Sequence, residues 1–252
     1  MHLSDIKSSI KTPIIMVLIA VLNIAVVSYI AVSQSEDMAT AMTEEKTAAV
    51  EDGVREHLMS YLTSIGEDLI INADSDYVRQ ALRSFRVGWE DLKTQDKTAY
   101  LHKEYIEDNP NPLGEKHLMD FAPDNSLYST VHSKFHPWFR KLLSERDYYD
   151  IFIFDERGNL LYTVFKELDF ATNMYDGEWK DTDLALMYKT VKDNPVRDKI
   201  TFMDFKPYAP SHDVPAAFVG APILDKDGTF MGVMAFQMPI ARINALGTIS
   251  KD

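Results

Sequence analysis

YYDIFIFDERGNLLYTVFKELDF, residues 148–170, decides the fold. Ile151 to Phe154 is apolar at every position, which suits an interior strand covered on both faces. Asp155-Glu156-Arg157-Gly158-Asn159 then supplies turn chemistry, with Gly158 able to take a positive φ, and Leu160 to Phe165 runs back. The stretch reads as a β-hairpin, and at Tyr148 the chain changes from a helical to a strand period.

Downstream of the hairpin, strands are predicted over Ile200 to Phe205, Ala216 to Leu224 and Phe230 to Met238, the last two joined by Asp225-Lys226-Asp227-Gly228. The expected sheet is antiparallel and five-stranded, with Ile151 to Phe154 at its centre. Leu184, Met187, Tyr188 and Val191 predict a short amphipathic helix capped by Thr182 or Asp183. The piece before it, KELDFATNMYDGEWKDT (166–182), has neither period, yet it embeds Phe170, Met174, Tyr175 and Trp179. A loop of that length and content reads as a packed lid.

Upstream the pattern is helical. Val54, Leu58, Leu62, Ile65 and Leu69 mark one face of a helix, and Val78, Ala81, Leu82 and Phe85 mark a second behind the caps Asp74 and Ser75. A third, from about Gln95 to Ile106, must end by Asn109-Pro110-Asn111-Pro112, because proline lacks an amide donor and restricts its predecessor. Leu127, Val131, Phe135, Phe139, Leu142 and Leu143 mark a fourth, with an interruption expected at Pro137.

Pro13 to Val32 is 20 residues without a charge, the length that crosses a bilayer core. Lys7 and Lys11 precede it and seven acidic residues between Glu36 and Glu56 follow, so the N-terminus is expected in the cytoplasm and the remainder outside. A cleaved signal peptide is the competing reading, with Ala31-Val32-Ser33 as a small-x-small site, but signal h-regions run about 7 to 15 residues. Asn23 within the span is either a helix-helix contact or a tolerated amide. One helix from Pro13 to about residue 71 would measure roughly 90 Å and could pair with its copy in a homodimer.

The net charge of −13 argues against a nucleic-acid partner, which needs clustered Lys and Arg. With no cysteine, disulfides and thiolate metal sites are excluded. His132 and His136 stand four apart, but two histidines fall short of a zinc site, no Glu completes a protease motif, and both are expected to be partly exposed. The acidic turns DERGN and DKDG lack the spacing of an EF-hand loop. No nucleotide-binding, nucleophile-elbow or zinc-protease signature is present, so no enzyme, metal or cofactor is expected.

NPNPLGEKH (109–117), YYDIFIFDERGNLLYTVFKELDFATNM (148–174), DFKPYAPSHDVPAAFVGAPI (204–223) and GVMAFQMPIARINAL (232–246) carry a resemblance. In this order and spacing they resemble the extracytoplasmic Cache (PDC-type) sensor region of bacterial methyl-accepting chemotaxis proteins. The resemblance implies an α+β fold: a transmembrane and stalk helix, a helical cover, and a PAS-like sheet of five antiparallel strands. The expected segments are a cytoplasmic N-terminus (1–12), a transmembrane helix (13–33), a long helix with a helical subdomain (34–147), the sensor sheet (148–246) and the start of a linker (247–252).

It further implies an inner-membrane receptor whose periplasmic domain binds a small molecule between the sheet and the segment crossing it. On this chain that points to Tyr162, Lys166, Asp169, Tyr175, Trp179, Asp204 and Tyr208 as ligand-binding residues, the aromatics as walls and the charged groups as orienting elements. Similar sensors occur on histidine kinases and cyclic-nucleotide enzymes, and a membrane-tethered binding or scaffold protein is a further alternative. Such receptors continue into a signalling coiled coil, so a fragment is expected, with either a second sensor module or a return to the membrane after residue 246.

Overall fold

The structure is a computed structural model that describes residues 8–240. The segment 241–252, which includes most of IARINAL and the expected linker, lies outside the described residues, as does the segment 1–7. The chain divides into two units, Met1–His57 with Ile249–Asp252, and Leu58–Thr248. Helix α1, Ser8–Ala73, begins in the first. Its apolar part is exposed along its length, and the helix is long and apolar enough to cross a membrane. Asn23 is satisfied within this helix, its Nδ2 donating to the Ile19 carbonyl at 2.8 Å.

In the second unit α1 ends with Ile65, Leu69 and Ala73 buried in the core. Helix α2, Asp76–Asp91, follows after a tight turn; of the two cap candidates Ser75 takes the role, its side chain accepting from the Val78 N–H at 3.1 Å. Val78, Ala81, Leu82 and Phe85 form its buried stripe. Helix α3, Lys97–His102, opens on Asp96 and runs into a π-helical turn, Lys103–Glu107, before the prolines. Helix α4, Leu127–Arg146, is continuous through Pro137, contrary to the expected interruption. Pro137 is exposed, so the carbonyl its missing N–H leaves unbonded lies on the wet side of the helix.

Strands β1 (Asp150–Asp155), β2 (Leu160–Thr163), β3 (Thr201–Tyr208), β4 (Val214–Leu224) and β5 (Phe230–Gln237) form one antiparallel sheet in the order β2-β1-β5-β4-β3. The middle strand is therefore β5; β1 is interior, with a partner on each side, but not central. In the β1–β2 turn the Asp155 carboxylate accepts from the N–H groups of Arg157 and Asn159, and Gly158 sits at φ +90°. That carboxylate serves the turn itself.

Both faces of the sheet are covered, which is why β1, β4 and β5 are apolar along most of their length. Ile151, Ile153, Val219, Ile223, Met234 and Phe236 pack under α1, α2 and α4. Phe152, Phe154, Phe218, Val233 and Ala235 pack under helix α5, Asp183–Asp193, whose cap is Thr182. The segment 166–182 is a series of turns, with Phe170, Ala171, Thr172 and Met174 buried and Asn159 bridged to Asn173, so it is seated in the fold along its first half.

Candidate functional site

The chain returning from the hairpin makes a sharp turn at its end. Lys166 has φ +63°, a left-handed conformation that costs a non-glycine residue energy and is held here by its N–H bond to Thr163 Oγ1 at 2.9 Å. The turn drives the lysine inward rather than to solvent. Its side chain is buried at 2% exposure, with Nζ donating to the Thr163 carbonyl. Nζ lies 4.5 Å from the ring centre of Tyr162, 5.2 Å from Phe170 and 5.8 Å from Tyr105, within a three-ring cage whose faces attract a cation. Among the described residues it makes no ion pair within 4 Å.

One carboxyl group, Asp150, acts on this ammonium at longer range, and Asp169 and Glu167 act in turn on Asp150. Asp150, at the start of β1, is fully buried, and its Oδ1 accepts from the N–H groups of Ile151 (2.6 Å), Val164 (2.8 Å) and Phe165 (3.0 Å). It thereby pins the end of the hairpin to its own strand. Asp169 is also fully buried, and its Oδ2 accepts from the Tyr208 hydroxyl at 2.7 Å. Glu167 accepts from Tyr149 (2.7 Å) and from Ser211 (2.5 Å), and Gln237, opposite Asp150 across the β1–β5 ladder, donates to Ser211.

Helix α4 closes the cluster from above. His132 and His136 are both fully buried, a correction to the expectation of partly exposed histidines, because the four-residue spacing aims both at the sheet. His136 donates from Nε2 to the His117 carbonyl at 2.7 Å, so its Nδ1 accepts from the Tyr162 hydroxyl at 2.6 Å. His132 donates from Nδ1 to the Asp120 carbonyl at 2.5 Å. The two rings stack at 4.3 Å. Among the described residues no group of three or more His, Asp or Glu side chains is placed to hold a metal ion.

Burial sets the titration of these groups. It pulls the Lys166 ammonium down to about 7, with Asp150 opposing the shift. It pushes Asp169 up to about 7, helped by the nearby charge of Glu167 and opposed by the Tyr208 hydrogen bond. Burial also raises Asp150, with Asp169 and Glu167 adding to the shift. Both histidines are held well below their usual range by burial and by the neighbouring lysine, so they are neutral.

Of the seven residues singled out from the sequence, Lys166 meets Tyr162 and Asp169 meets Tyr208, and the charge of Asp150 links the two pairs. Trp179 is half-buried and donates from Nε1 to the Leu168 carbonyl at 3.0 Å; with Tyr208, Asp183, Lys206 and Phe218 it lines a surface depression of about 310 Å³. Tyr175 is 43% exposed and packs edge-on against Tyr188 under α5. Asp204 is exposed on the edge strand β3, its Oδ1 accepting from the Phe205 N–H at 2.7 Å. Sequence reasoning missed Asp150, Tyr105, Phe170 as a cage wall, and the inward histidines. The one signal available was Asp150 itself, a lone acid entering a strand that is otherwise apolar up to Asp155.

No protein-family model matches the chain, and no curated protein matches it. Solved structures do match. The Escherichia coli DcuS sensor domain aligns over 78% of this chain and 96% of its own length, at 12% identity and a TM-score of 0.39. The sensor domain of the Vibrio cholerae histidine kinase DctB aligns over 68% of this chain and 57% of its own, at 10% identity and 0.37. The ligand-binding domain of the Campylobacter jejuni chemoreceptor Tlp3, solved with L-valine, aligns over 75% and 65%, at 13% identity and 0.35. The chain thus spans less than two thirds of the DctB and Tlp3 domains. All three neighbours are sensor or ligand-binding domains of bacterial receptors.

Proposed function

We propose that the chain is the ligand-sensing extracytoplasmic part of a transmembrane chemoreceptor, anchored in the bacterial inner membrane through α1 and acting as a homodimer. The observation that carries the reading is the buried polar cluster between sheet and helical cover. A fold that only had to be stable gains nothing from a lysine and two carboxyl groups inside its core, since each unpaired buried charge is costly. A binding site needs such groups, and the cost is recovered when a ligand completes them.

In this reading Lys166, Asp169, Tyr162 and Tyr208 contact the ligand, and Trp179 shields the approach along Leu168. Asp169 joins the segment after the hairpin to β3, and His136 joins Tyr162 to α4, so a ligand at the cluster touches sheet and cover together. It biases signalling by the difference in its affinity for two arrangements of those layers. Tyr175 and Asp204 take no part in these contacts and are retained only as outlying positions of the same proposal.

The test is a thermal-shift screen of the full chain in detergent micelles against amines, amino acids and organic acids. One compound class should raise the midpoint, and the rise should disappear in a cluster variant such as Tyr162→Leu. A screen in which no class shifts the midpoint counts against a sensor. The output is read from the codons that follow residue 252: an Ala/Glu/Gln-rich heptad coiled coil marks the chemoreceptor, and a kinase core the histidine kinase.

A further inference from the structure

The cluster has more acceptors than donors. Asp150 Oδ2, Asp169 Oδ1, Gln237 Oε1 and His132 Nε2 are all buried, and none has a hydrogen-bond partner among the described residues. The first three are oxygens that can only accept unless protonated, and the His132 nitrogen accepts because its other nitrogen donates to the Asp120 carbonyl. Three carboxyl groups, Asp150, Asp169 and Glu167, stand in the cluster with one buried lysine, Lys166, and of the three Asp150 acts on its charge. The walls around that ammonium are the faces of Tyr162, Phe170 and Tyr105, which favour positive charge and disfavour an anion.

Resting on the reading of this cluster as the ligand site, we propose that it recognises an organic cation, a primary ammonium compound, and that Lys166 is a tethered stand-in for the ammonium of that ligand. An ammonium brings three N–H donors and no acceptor, which is what the cluster lacks. A carboxylate ligand would add acceptors to an acceptor surplus and meet aromatic faces of the wrong sign. The neighbouring depression agrees in charge. Asp181, Asp183 and Asp213 line it with Lys206 as the one base, and Lys206 is paired with Asp183 at 2.9 Å. Tyr208 belongs to both the depression and the cluster, its hydroxyl reaching Asp169.

The proposal fixes the sign of one substitution. If Lys166 competes with the ligand for the cage, Lys166→Met removes the competitor and tightens binding; if Lys166 is the counter-ion of an anionic ligand, the same change abolishes it. The probes are n-butylammonium and butyrate, of similar size and opposite charge, titrated calorimetrically into the full chain in micelles near pH 8. Saturable n-butylammonium binding is expected, tightened about tenfold by Lys166→Met and weakened about tenfold or more by Asp169→Asn. Phe170→Leu, which removes a cage wall and keeps an apolar side chain, should weaken it as well and serves if Asp169→Asn melts below the assay temperature. Butyrate binding that Lys166→Met abolishes overturns the cation assignment and leaves the sensor reading standing. Binding of neither probe by the folded wild type and Lys166→Met proteins overturns the cation assignment, and a negative library screen would then remove the site as well.

Discussion

The Tyr208 hydroxyl donates to Asp169 Oδ2 at 2.7 Å across 39 residues of sequence, tying the end of β3 to the turn that follows the hairpin. Each partner is buried, so the bond forms out of water and neither group has solvent as a substitute. Tyr208→Phe should therefore destabilise the fold by about 1–3 kcal/mol, the cost of leaving a buried acceptor unpaired. It should also push the Asp169 carboxyl further up, because the lost bond favoured its charged form. Denaturant melts at pH 5 and pH 8 check both: the loss should be larger at pH 8, where wild-type Asp169 is mostly ionised.

Asp169 and Lys166 together should contribute a stability minimum near 7. Asp169 titrates at about 7 in the folded chain, above its unfolded value, so the native state holds more protons than the unfolded state from about 4 to 7, and stability falls as pH rises through that window. Lys166 titrates at about 7, below its unfolded value, so above 7 the unfolded state holds more protons and stability rises again with pH. The groups facing them are Asp150 on β1, Glu167 in the turn, Tyr208 on β3 and the neutral histidines of α4; Asp150 and Glu167 are raised by burial and add to the acid limb, whereas His132 and His136, held well below their usual range, oppose it below 6.5. Chemical denaturation from pH 5 to 9 should show Asp169→Asn reducing the acid limb and Lys166→Met removing the alkaline one. Variant profiles that superimpose on the wild-type profile would contradict the assignment.

Two glycines of the sheet should respond differently to alanine. A Cβ at Gly232 would stand 2.0 Å from the Phe154 carbonyl oxygen, backbone of the paired strand β1, which cannot move without breaking the ladder. At Gly220 the Cβ would stand 2.0 Å from Met187 Sδ, on a flexible side chain of α5 that can change rotamer. Gly232→Ala is expected to cost about 3 kcal/mol or more and Gly220→Ala about 1–2 kcal/mol, as overpacking does where the neighbour can yield. Equal melting shifts would show that the β1–β5 register is looser than described.

Trp179→Ala should weaken ligand binding and leave the fold in place, since the indole is half-buried and gives up one hydrogen bond, to the Leu168 carbonyl. The expected loss of stability is about 2 kcal/mol or less, in line with a partly exposed side chain. Cooperative unfolding of the variant at room temperature would instead make Trp179 part of the core.

The sheet was legible because β1, β4 and β5 must be apolar on both faces, and the turns between them carry their own Asp and Gly chemistry. Helix α2 was legible from Ser75 and four apolar residues at helical spacing. The site was legible only in part. Lys166 turns inward because it takes a left-handed backbone that no sequence pattern announces, and the pairing of Asp169 with Tyr208 depends on the crossover through α5. Asp150 looked like one more acid in an acidic chain until its oxygen was found holding three amides. Pro137 misled for the same reason: its effect depends on which side of α4 faces water, and that is set by the sheet beneath it.

The central claim is that a small molecule binds in the cluster around Lys166 and Asp169, between the sheet and its helical cover. Backbone hydrogen exchange of the full chain, with and without a stabilising compound from the thermal-shift screen, tests its location most directly. The account predicts slowed exchange, tenfold or more, at the amides of Val164, Phe165, Lys166 and Thr172, with little change in the turn from Asp225 to Gly228. A second surface depression lies on α4, lined by His117, Pro137, Arg140 and Lys141; protection confined to it, with residues 164–172 unchanged, would contradict the account.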